Sequence, residues 1–105
     1  MRDLVTVVIP ARDEAGNIGP LLRELDAVAA HWGGNGRLSV IVVNDGSSDT
    51  TAVESLEARE ELRYCELEII NLAKSLGQSH ALQTGFNKVE TQITVAIDGD
   101  GQNDP

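Results

Sequence analysis

Four short apolar runs, separated by longer segments, constrain the fold of this sequence more than any other feature. The runs lie at residues 5–9, 38–43, 67–70 and 91–97 and are rich in β-branched residues, which predicts four strands. Apolar residues follow one another in these runs with little alternation, so both faces of the predicted sheet are expected to be buried. Strands of this kind, joined by helices in the order βαβαβαβ, predict an α/β protein with a parallel sheet.

The segment after the first run has the periodicity of an amphipathic helix. Its apolar residues recur every three or four positions, at Ile18, Leu21, Leu22, Leu25, Val28 and Ala29. Asn17 is predicted to be the N-cap, and Pro20 is compatible with a first helical turn.

Two further helices are predicted at residues 50–59 and 77–89. Val53 and Leu56 are expected to face the core from the first of them. The second is expected to bury one stripe of larger apolar side chains, namely Leu82, Phe86 and Val89.

Doubly wound sheets reverse direction once, which predicts the strand order 3-2-1-4 and a three-layer, Rossmann-like arrangement. Ligands bind such sheets beyond the carboxyl ends of the strands, at the point of reversal between strands 1 and 4. Polar clusters follow strands 1, 2 and 4, at residues 10–14, 44–49 and 98–102. We therefore expect these clusters to form one site.

The cluster after strand 4 reads Asp98-Gly-Asp100-Gly-Gln102. Two carboxylates and an amide on one short loop are hard oxygen donors, which Mg²⁺ and Mn²⁺ prefer and often share with substrate phosphates. Taken alone, the segment is equally compatible with a solvated acidic turn, because Asp and Gly are common turn residues.

The composition of the chain argues against several classes of function. The net charge of −9 argues against general electrostatic binding to nucleic acid. Cys65 is the single cysteine, so an intrachain disulfide is excluded and a small hydrophobic role is expected. No stretch approaches the ~20 apolar residues of a membrane span, which favours a cytoplasmic location. A glycine-rich dinucleotide fingerprint and a P-loop motif are both missing from the sequence.

Three segments together resemble family 2 nucleotide-sugar glycosyltransferases. They read VVIPARDE at residues 7–14, VNDGSSDT at 43–50 and IDGDGQNDP at 97–105. Gly77, Ala81 and Gly85 add a G-x3-A-x3-G pattern. The resemblance is strongest to the branch that makes polyprenyl-phosphate sugars, such as dolichyl-phosphate mannose synthases, and it spans nearly the whole chain.

The resemblance implies the N-terminal half of a GT-A-type glycosyltransferase fold. Residues 1–105 would form the donor-binding part, with the acceptor-binding part absent from this chain. The implied reaction is metal-dependent, inverting transfer of a sugar from a GDP- or UDP-linked donor to a polyprenyl phosphate or a glycan. Mg²⁺ or Mn²⁺ is the implied cofactor, and the full-length protein is expected at the cytoplasmic face of the membrane.

The resemblance also implies roles for individual residues. Asp98 and Asp100 match the DxD residues that hold the metal and the donor diphosphate, and Asp100 is assigned as catalytic. Gln102 matches a further metal ligand of the polyprenyl-phosphate branch. Asp45 matches the aspartate that contacts the nucleotide base or ribose, and without the resemblance it would also fit an Asx turn.

The loop that wraps the nucleoside in this family is matched by Pro10, Ala11, Arg12 and Glu14. Lys74 and Gly77 are assigned to donor binding as well. Arg12 and Asp13 stand where many relatives have an aromatic residue and Asn, and Lys74-Ser75 stand where many have Arg-Asn. These departures keep a cation at residue 74 and leave the base preference open.

Alternative functions belong to other classes. A haloacid dehalogenase-type phosphatase also uses a DxD motif, but that motif normally follows the first strand. A receiver-like signalling domain has an acidic pocket but needs a lysine after a late strand, which this sequence does not reach. A third alternative is a truncated, non-catalytic nucleotide-binding fragment, which is expected to self-associate through an open sheet edge.

Overall fold

The computed structural model describes residues 5–12, 16–32, 38–46, 51–74, 76–89 and 93–97. Strands and helices alternate along the chain, as the sequence predicts. The elements are β1 (Val5–Ala11), α1 (Ile18–His31), β2 (Leu38–Asp45), α2 (Thr51–Glu61), β3 (Glu66–Leu72), α3 (Gln78–Phe86) and β4 (Ile93–Ala96). None of the helices in these ranges has the length and hydropathy needed to cross a bilayer.

The four strands form one sheet in the order β3-β2-β1-β4, and all three neighbouring pairs are parallel. This confirms the predicted topology. The switch point lies between β1 and β4, where Val8 is the register partner of Ala96.

Helices cover both faces of the sheet, which gives three layers. Along β2, Val40 and Val42 belong to one apolar cluster while Ile41 and Val43 belong to another, as expected when side chains alternate between faces. The first cluster includes residues of α1 and α2, and we call this side the α1–α2 face. The second includes Ala81 of α3, and we call it the α3 face.

Strands β1, β2 and β3 all extend further than their apolar runs. Pro10 was expected to end the first strand, but β1 continues to Ala11, with Pro10 opposite Val43. Proline lacks an N–H group, so a strand tolerates it where that donor is not needed for pairing. Opposite Pro10, β2 is the only partner among the described residues, since β4 pairs no further than Val8. Likewise, β2 includes Asn44 and Asp45, which the sequence placed in a turn.

Helix α1 follows its predicted stripe with one exception. Its buried apolar residues are Ile18, Leu21, Leu22, Leu25 and Ala29. Val28, at the margin of the stripe, is exposed. Asn17 is the N-cap residue as predicted, although its side chain makes no capping hydrogen bond.

The inward face predicted for α2 was wrong, and the stripe predicted for α3 was wrong in part. In α2, Val53 is 53% exposed and Leu56 is also exposed, whereas Thr51, Ser55 and Ala58 are buried. The Ser55 hydroxyl donates to the Thr51 carbonyl at 2.9 Å, so this polar group is satisfied inside the helix and can be buried.

In α3, Phe86 is 40% exposed and Ala81 and Gly85 are buried, whereas Leu82 is half-buried and Val89, just beyond the helix, packs against the cluster of the α3 face. A Cβ atom at Gly85 would collide with the Val8 side chain of β1, so this helix lies too close to the sheet for a larger residue. The helix thus buries its small residues most completely, while Phe86 stays exposed.

Candidate functional site

The carboxyl ends of the strands bring those predicted site residues that the structure describes to one edge of the sheet. Because the strands are parallel, β1, β2 and β3 end side by side. Ala11 lies opposite Asn44, and Asp45 lies opposite Leu72. The last described residue near β4 is Ile97, whose N–H donates to the Val8 carbonyl at 3.1 Å. The DxD segment follows Ile97 directly in the sequence.

The described site residues differ in exposure. Pro10 is half-buried and Ala11 is buried within β1, while Arg12 is exposed just beyond the strand. Lys74 is exposed in the connection between β3 and α3. Two cationic side chains therefore reach solvent from this edge, which suits contact with an anionic ligand.

Asp45 is the last residue of β2 and is 3% exposed. Its Oδ1 accepts a hydrogen bond from the backbone N–H of Leu76 at 3.0 Å. The sequence offered an Asx turn or a nucleoside contact for this residue. The structure adds a contact to the β3–α3 connection, 31 residues away along the chain, and the nucleoside contact stays a prediction.

A second polar contact lies beside it. The Asn44 side-chain amide donates to Asn71 Oδ1 at 3.0 Å, and these two residues are register partners in β2 and β3. Sequence reasoning missed Asn71 because it ended the third strand at residue 70. A polar residue between Ile70 and Leu72, at the end of an apolar run, was the available signal.

Gly77 precedes α3 with a φ of +102°. Residues with a Cβ atom rarely adopt this backbone angle, so the tight entry into the helix favours glycine. The Gly77 carbonyl then accepts from the Ala81 N–H at 3.1 Å, in the first turn of the helix. Gly77, which the resemblance assigns to donor binding, is therefore also favoured by the backbone conformation at this position.

Glu54 of α2 is a further residue that the sequence motifs did not single out. Its Oε1 accepts a hydrogen bond from the backbone N–H of Gly16 at 2.8 Å. The contact ties the segment after β1, which carries Arg12, to the second helix. No local sequence signal identifies it, because the partners are 38 residues apart.

Four predicted site residues, Glu14, Asp98, Asp100 and Gln102, lie outside the described residues. Within the described ranges, no group of three or more His, Cys, Asp or Glu residues could hold a metal ion. The buried side-chain nitrogen and oxygen atoms in those ranges all have hydrogen-bond partners.

An open groove of about 530 Å³ lies at the opposite edge of the sheet, beside α1 and the start of β3. It is lined by Arg23, Asp26, Ala27, Ala30, His31 and Tyr64. Its charged groups already have partners, since Arg23 pairs with Glu61 at 2.8 Å and Asp26 accepts from three backbone N–H groups. None of the predicted site residues that the structure describes lines this groove, and its polar groups stabilise the fold.

The half-buried Cys65 lies next to this groove. Burial raises the pKa of its thiol to about 12, and the neighbouring Asp26 carboxylate contributes to the same shift. The side chain packs against the cluster of the α1–α2 face. A thiol with such a pKa stays protonated at neutral pH, so Cys65 serves as a small hydrophobic residue, as expected.

Comparisons with known proteins all find glycosyltransferases and related sugar transferases. The family model for glycosyl transferase family 2 matches residues 6–105. An undecaprenyl-phosphate 4-deoxy-4-formamido-L-arabinose transferase from Pseudomonas paraeruginosa is 34% identical over 103 residues, covering 98% of this chain and 30% of the relative. A dodecaprenyl-phosphate galacturonate synthase from Rhizobium johnstonii is 33% identical, covering 96% of this chain and 29% of the relative.

Solved structures share the fold. A mannosyltransferase from Pyrobaculum calidifontis, in complex with GDP-Man and Mn²⁺, superposes with a TM-score of 0.73 at 29% identity, covering 95% of this chain and 28% of its own. The glucosyl-3-phosphoglycerate synthase of Mycobacterium tuberculosis, with Mn²⁺ and UDP, gives 0.68 at 20% identity, covering 92% and 33%. The latter likeness concerns the fold alone.

The architecture is thus that of the GT-A-type glycosyltransferases, and the resemblance drawn from the three sequence segments is confirmed. The chain spans about 30% of the length of the relatives that it matches. The family model nevertheless covers nearly all of its residues. On that match, this chain belongs to glycosyl transferase family 2.

Proposed function

We propose that this chain forms the donor-binding part of a glycosyltransferase that transfers a sugar, with inversion, from a nucleotide diphosphate-sugar to a polyprenyl phosphate. The observation that carries the proposal is the convergence of family-matched residues at one edge of the sheet. Ala11 at the end of β1, Arg12 just beyond it, Asp45 at the end of β2 and Lys74 after β3 all lie at the carboxyl edge of the sheet, the edge at which the β1–β4 switch point opens. Parallel α/β sheets bind their ligands at this position.

In this proposal, the family-matched residues contact different parts of the donor. Pro10, Ala11 and Arg12, with Glu14, would enclose the nucleoside, and Asp45 would contact its base or ribose. The Lys74 ammonium would lie against the diphosphate, whose charge it partly neutralises. Gly77 would let the backbone approach the donor without a side chain in the way.

A divalent metal fits the donor set after β4. Asp98, Asp100 and Gln102 offer two carboxylates and an amide oxygen, which suit Mg²⁺ or Mn²⁺. When bound, such a metal would supply Lewis-acid stabilisation of the charge that develops on the leaving diphosphate. The Mn²⁺ in the complex of the P. calidifontis mannosyltransferase supports this proposal.

The acceptor proposal draws on the names of the relatives, which are undecaprenyl-phosphate and dodecaprenyl-phosphate sugar transferases. A phosphate acceptor is already anionic, so its attack on the sugar needs little deprotonation by the protein. A lipid acceptor would also bring the full-length protein to the cytoplasmic face of a membrane. In this proposal the present chain binds donor and does not by itself catalyse transfer.

Calorimetry with GDP and UDP tests the donor site directly. Titrations in Mn²⁺, in Mg²⁺ and in chelator are compared for the wild type, Asp98→Asn and Asp100→Asn. We expect metal-dependent binding in the wild type and its loss in both variants, because each loses a carboxylate ligand. Glu60→Gln, an exposed substitution on α2, is the matched control and should bind like the wild type.

The outcomes separate the parts of the proposal. Binding that survives in chelator and in Asp100→Asn would contradict the metal assignment while leaving the nucleotide site intact. Absence of binding by a folded wild-type chain to both nucleotides would contradict its role as an autonomous donor-binding part. A clear preference for GDP or UDP would identify the base.

A further inference from the structure

The hydrogen bond from Leu76 to Asp45 joins two parts of the proposed site that are distant in sequence. Asp45 belongs to the element assigned to the nucleoside. Leu76 follows Lys74, assigned to the diphosphate, by two residues. The 3.0 Å contact to a carboxylate that is 3% exposed is a charge-assisted hydrogen bond shielded from water.

The described residues of the connection between β3 and α3 gain little stability from apolar packing. The Leu76 side chain is 52% exposed, and Lys74 and Gly77 are exposed as well. The connection is held at both ends by polar and backbone features. Asn71 is bonded to Asn44 at the end of β3, and Gly77 turns the chain into α3 with its positive φ. Asp45 contacts the connection between these two points.

We propose that Asp45 is a positioning residue for Lys74, in addition to any contact that it makes with the nucleoside. Through Leu76, the carboxylate holds the connection so that the Lys74 ammonium faces the donor diphosphate. This inference rests on the proposed function. It predicts that the loss of Asp45 weakens binding of the diphosphate more than binding of the nucleoside.

The test compares the affinity for GDP with that for guanosine, and UDP with uridine. In Asp45→Ala, the ratio of nucleotide to nucleoside affinity should fall about fivefold to tenfold, a change of the size that one ordinary hydrogen bond contributes. Lys74→Met should lower the same ratio, and the double variant should lower it no further, because both act through one contact. Glu60→Gln serves again as the control.

Two further variants distinguish the positioning role of Asp45 from an effect of its negative charge. Asp45→Asn keeps an oxygen that can accept from the Leu76 N–H, so it should recover most of the lost ratio. Leu76→Pro removes the backbone N–H that donates to Asp45 and leaves the Asp45 side chain in place, so it should lower the affinity ratio as Asp45→Ala does. It replaces Asp45→Ala in the test if Asp45→Ala does not fold. Amide hydrogen exchange at Leu76 should accelerate in Asp45→Ala and return toward wild type in Asp45→Asn.

An equal loss of nucleotide and nucleoside affinity in Asp45→Ala would overturn the positioning role, as would unchanged exchange at Leu76. Additive effects of Asp45→Ala and Lys74→Met on the ratio would overturn it too. Failure of the folded wild type to bind GDP or UDP would overturn the proposed function and the role of Lys74 with it. The exchange measurement needs no nucleotide, so it distinguishes these two failures.

Discussion

The α1–α2 face and the α3 face cover the same sheet with side chains of very different size. On the α1–α2 face, large side chains such as Ile18 and Leu22 fill the space between helix and sheet. On the α3 face, Ala81 and Gly85 bring the helix almost onto β1 and β2. One face is stabilised mainly by buried apolar volume and the other by close approach of the backbone.

The difference matters for the site. Helix α3 begins at the carboxyl edge, directly after the connection that carries Lys74. Its distance from the sheet is set by residues without bulk, so a small change there would move the start of the helix and the Lys74 connection together. On the α1–α2 face, α1 likewise follows the segment that carries Arg12, but large buried side chains set its distance from the sheet, and Glu54 ties that segment to α2.

Removing volume from the α1–α2 face should have the largest effect. Leu22→Ala deletes a fully buried side chain and should lower the free energy of unfolding by about 3 kcal/mol, within the usual range for such cavities. Denaturant unfolding measures this. Val53→Ala, at an exposed position of α2, should change it by less than about 0.5 kcal/mol. Similar losses in the two variants would contradict the burial described for these helices.

Adding volume to the α3 face should cost somewhat less. Gly85→Ala places a Cβ atom against the Val8 side chain and should destabilise the fold by about 1–3 kcal/mol, despite the better helix propensity of alanine. In a double-mutant cycle, Val8→Ala should relieve part of this cost. Ser79→Ala, at an exposed position of the same helix, is the control. A stabilising Gly85→Ala would show that α3 does not lie this close to the sheet.

The Asp26 carboxylate connects α1 to the start of β3 and should contribute stability that depends on pH. Burial raises its pKa, but hydrogen bonds from the N–H groups of Tyr64, Arg63 and Cys65 outweigh this, so the pKa lies below the ordinary 3.8. Because the folded-state pKa is depressed, the stabilisation is present above the unfolded value and is lost as pH falls below it.

Asp26→Asn should therefore lower the free energy of unfolding by about 1 kcal/mol near neutral pH. The difference from wild type should shrink as the pH falls below 3.8, the ordinary pKa of this carboxyl. Urea unfolding across this range measures it. A difference that stays constant with pH would show that the charge of Asp26 is not what stabilises the contact.

The smallest expected effect concerns the outer edge of β4. In the described part of the chain, β4 pairs with β1 alone, and its Val95 is 41% exposed. An unpaired edge favours strand addition, while the net charge of −9 opposes it. We expect weak self-association at high concentration and physiological salt, reduced by Val95→Lys. A monomeric mass by light scattering under these conditions would contradict the expectation.

Sequence reasoning was most successful where a feature is periodic or local. The runs of β-branched residues and the stripe of α1 predicted the elements and the strand order, because burial of both sheet faces leaves few ways to connect parallel strands. The three motif segments predicted the family. The residue roles that the family implies, above all those of Asp98, Asp100 and Gln102, stay predictions.

Only the tertiary structure decided which side of α2 and α3 is buried and what Asp45 contacts. Hydrophobicity alone predicted that Phe86, and not Gly85, would face the sheet. A helix that approaches a sheet closely must present small residues, and a hydrophobicity scale for single residues carries no information about the distance between helix and sheet. The Asp45–Leu76 hydrogen bond likewise depends on where β3 ends relative to β2. By itself, the sequence determined the order of the elements and the chemistry available at one edge, whereas packing determined which groups meet there.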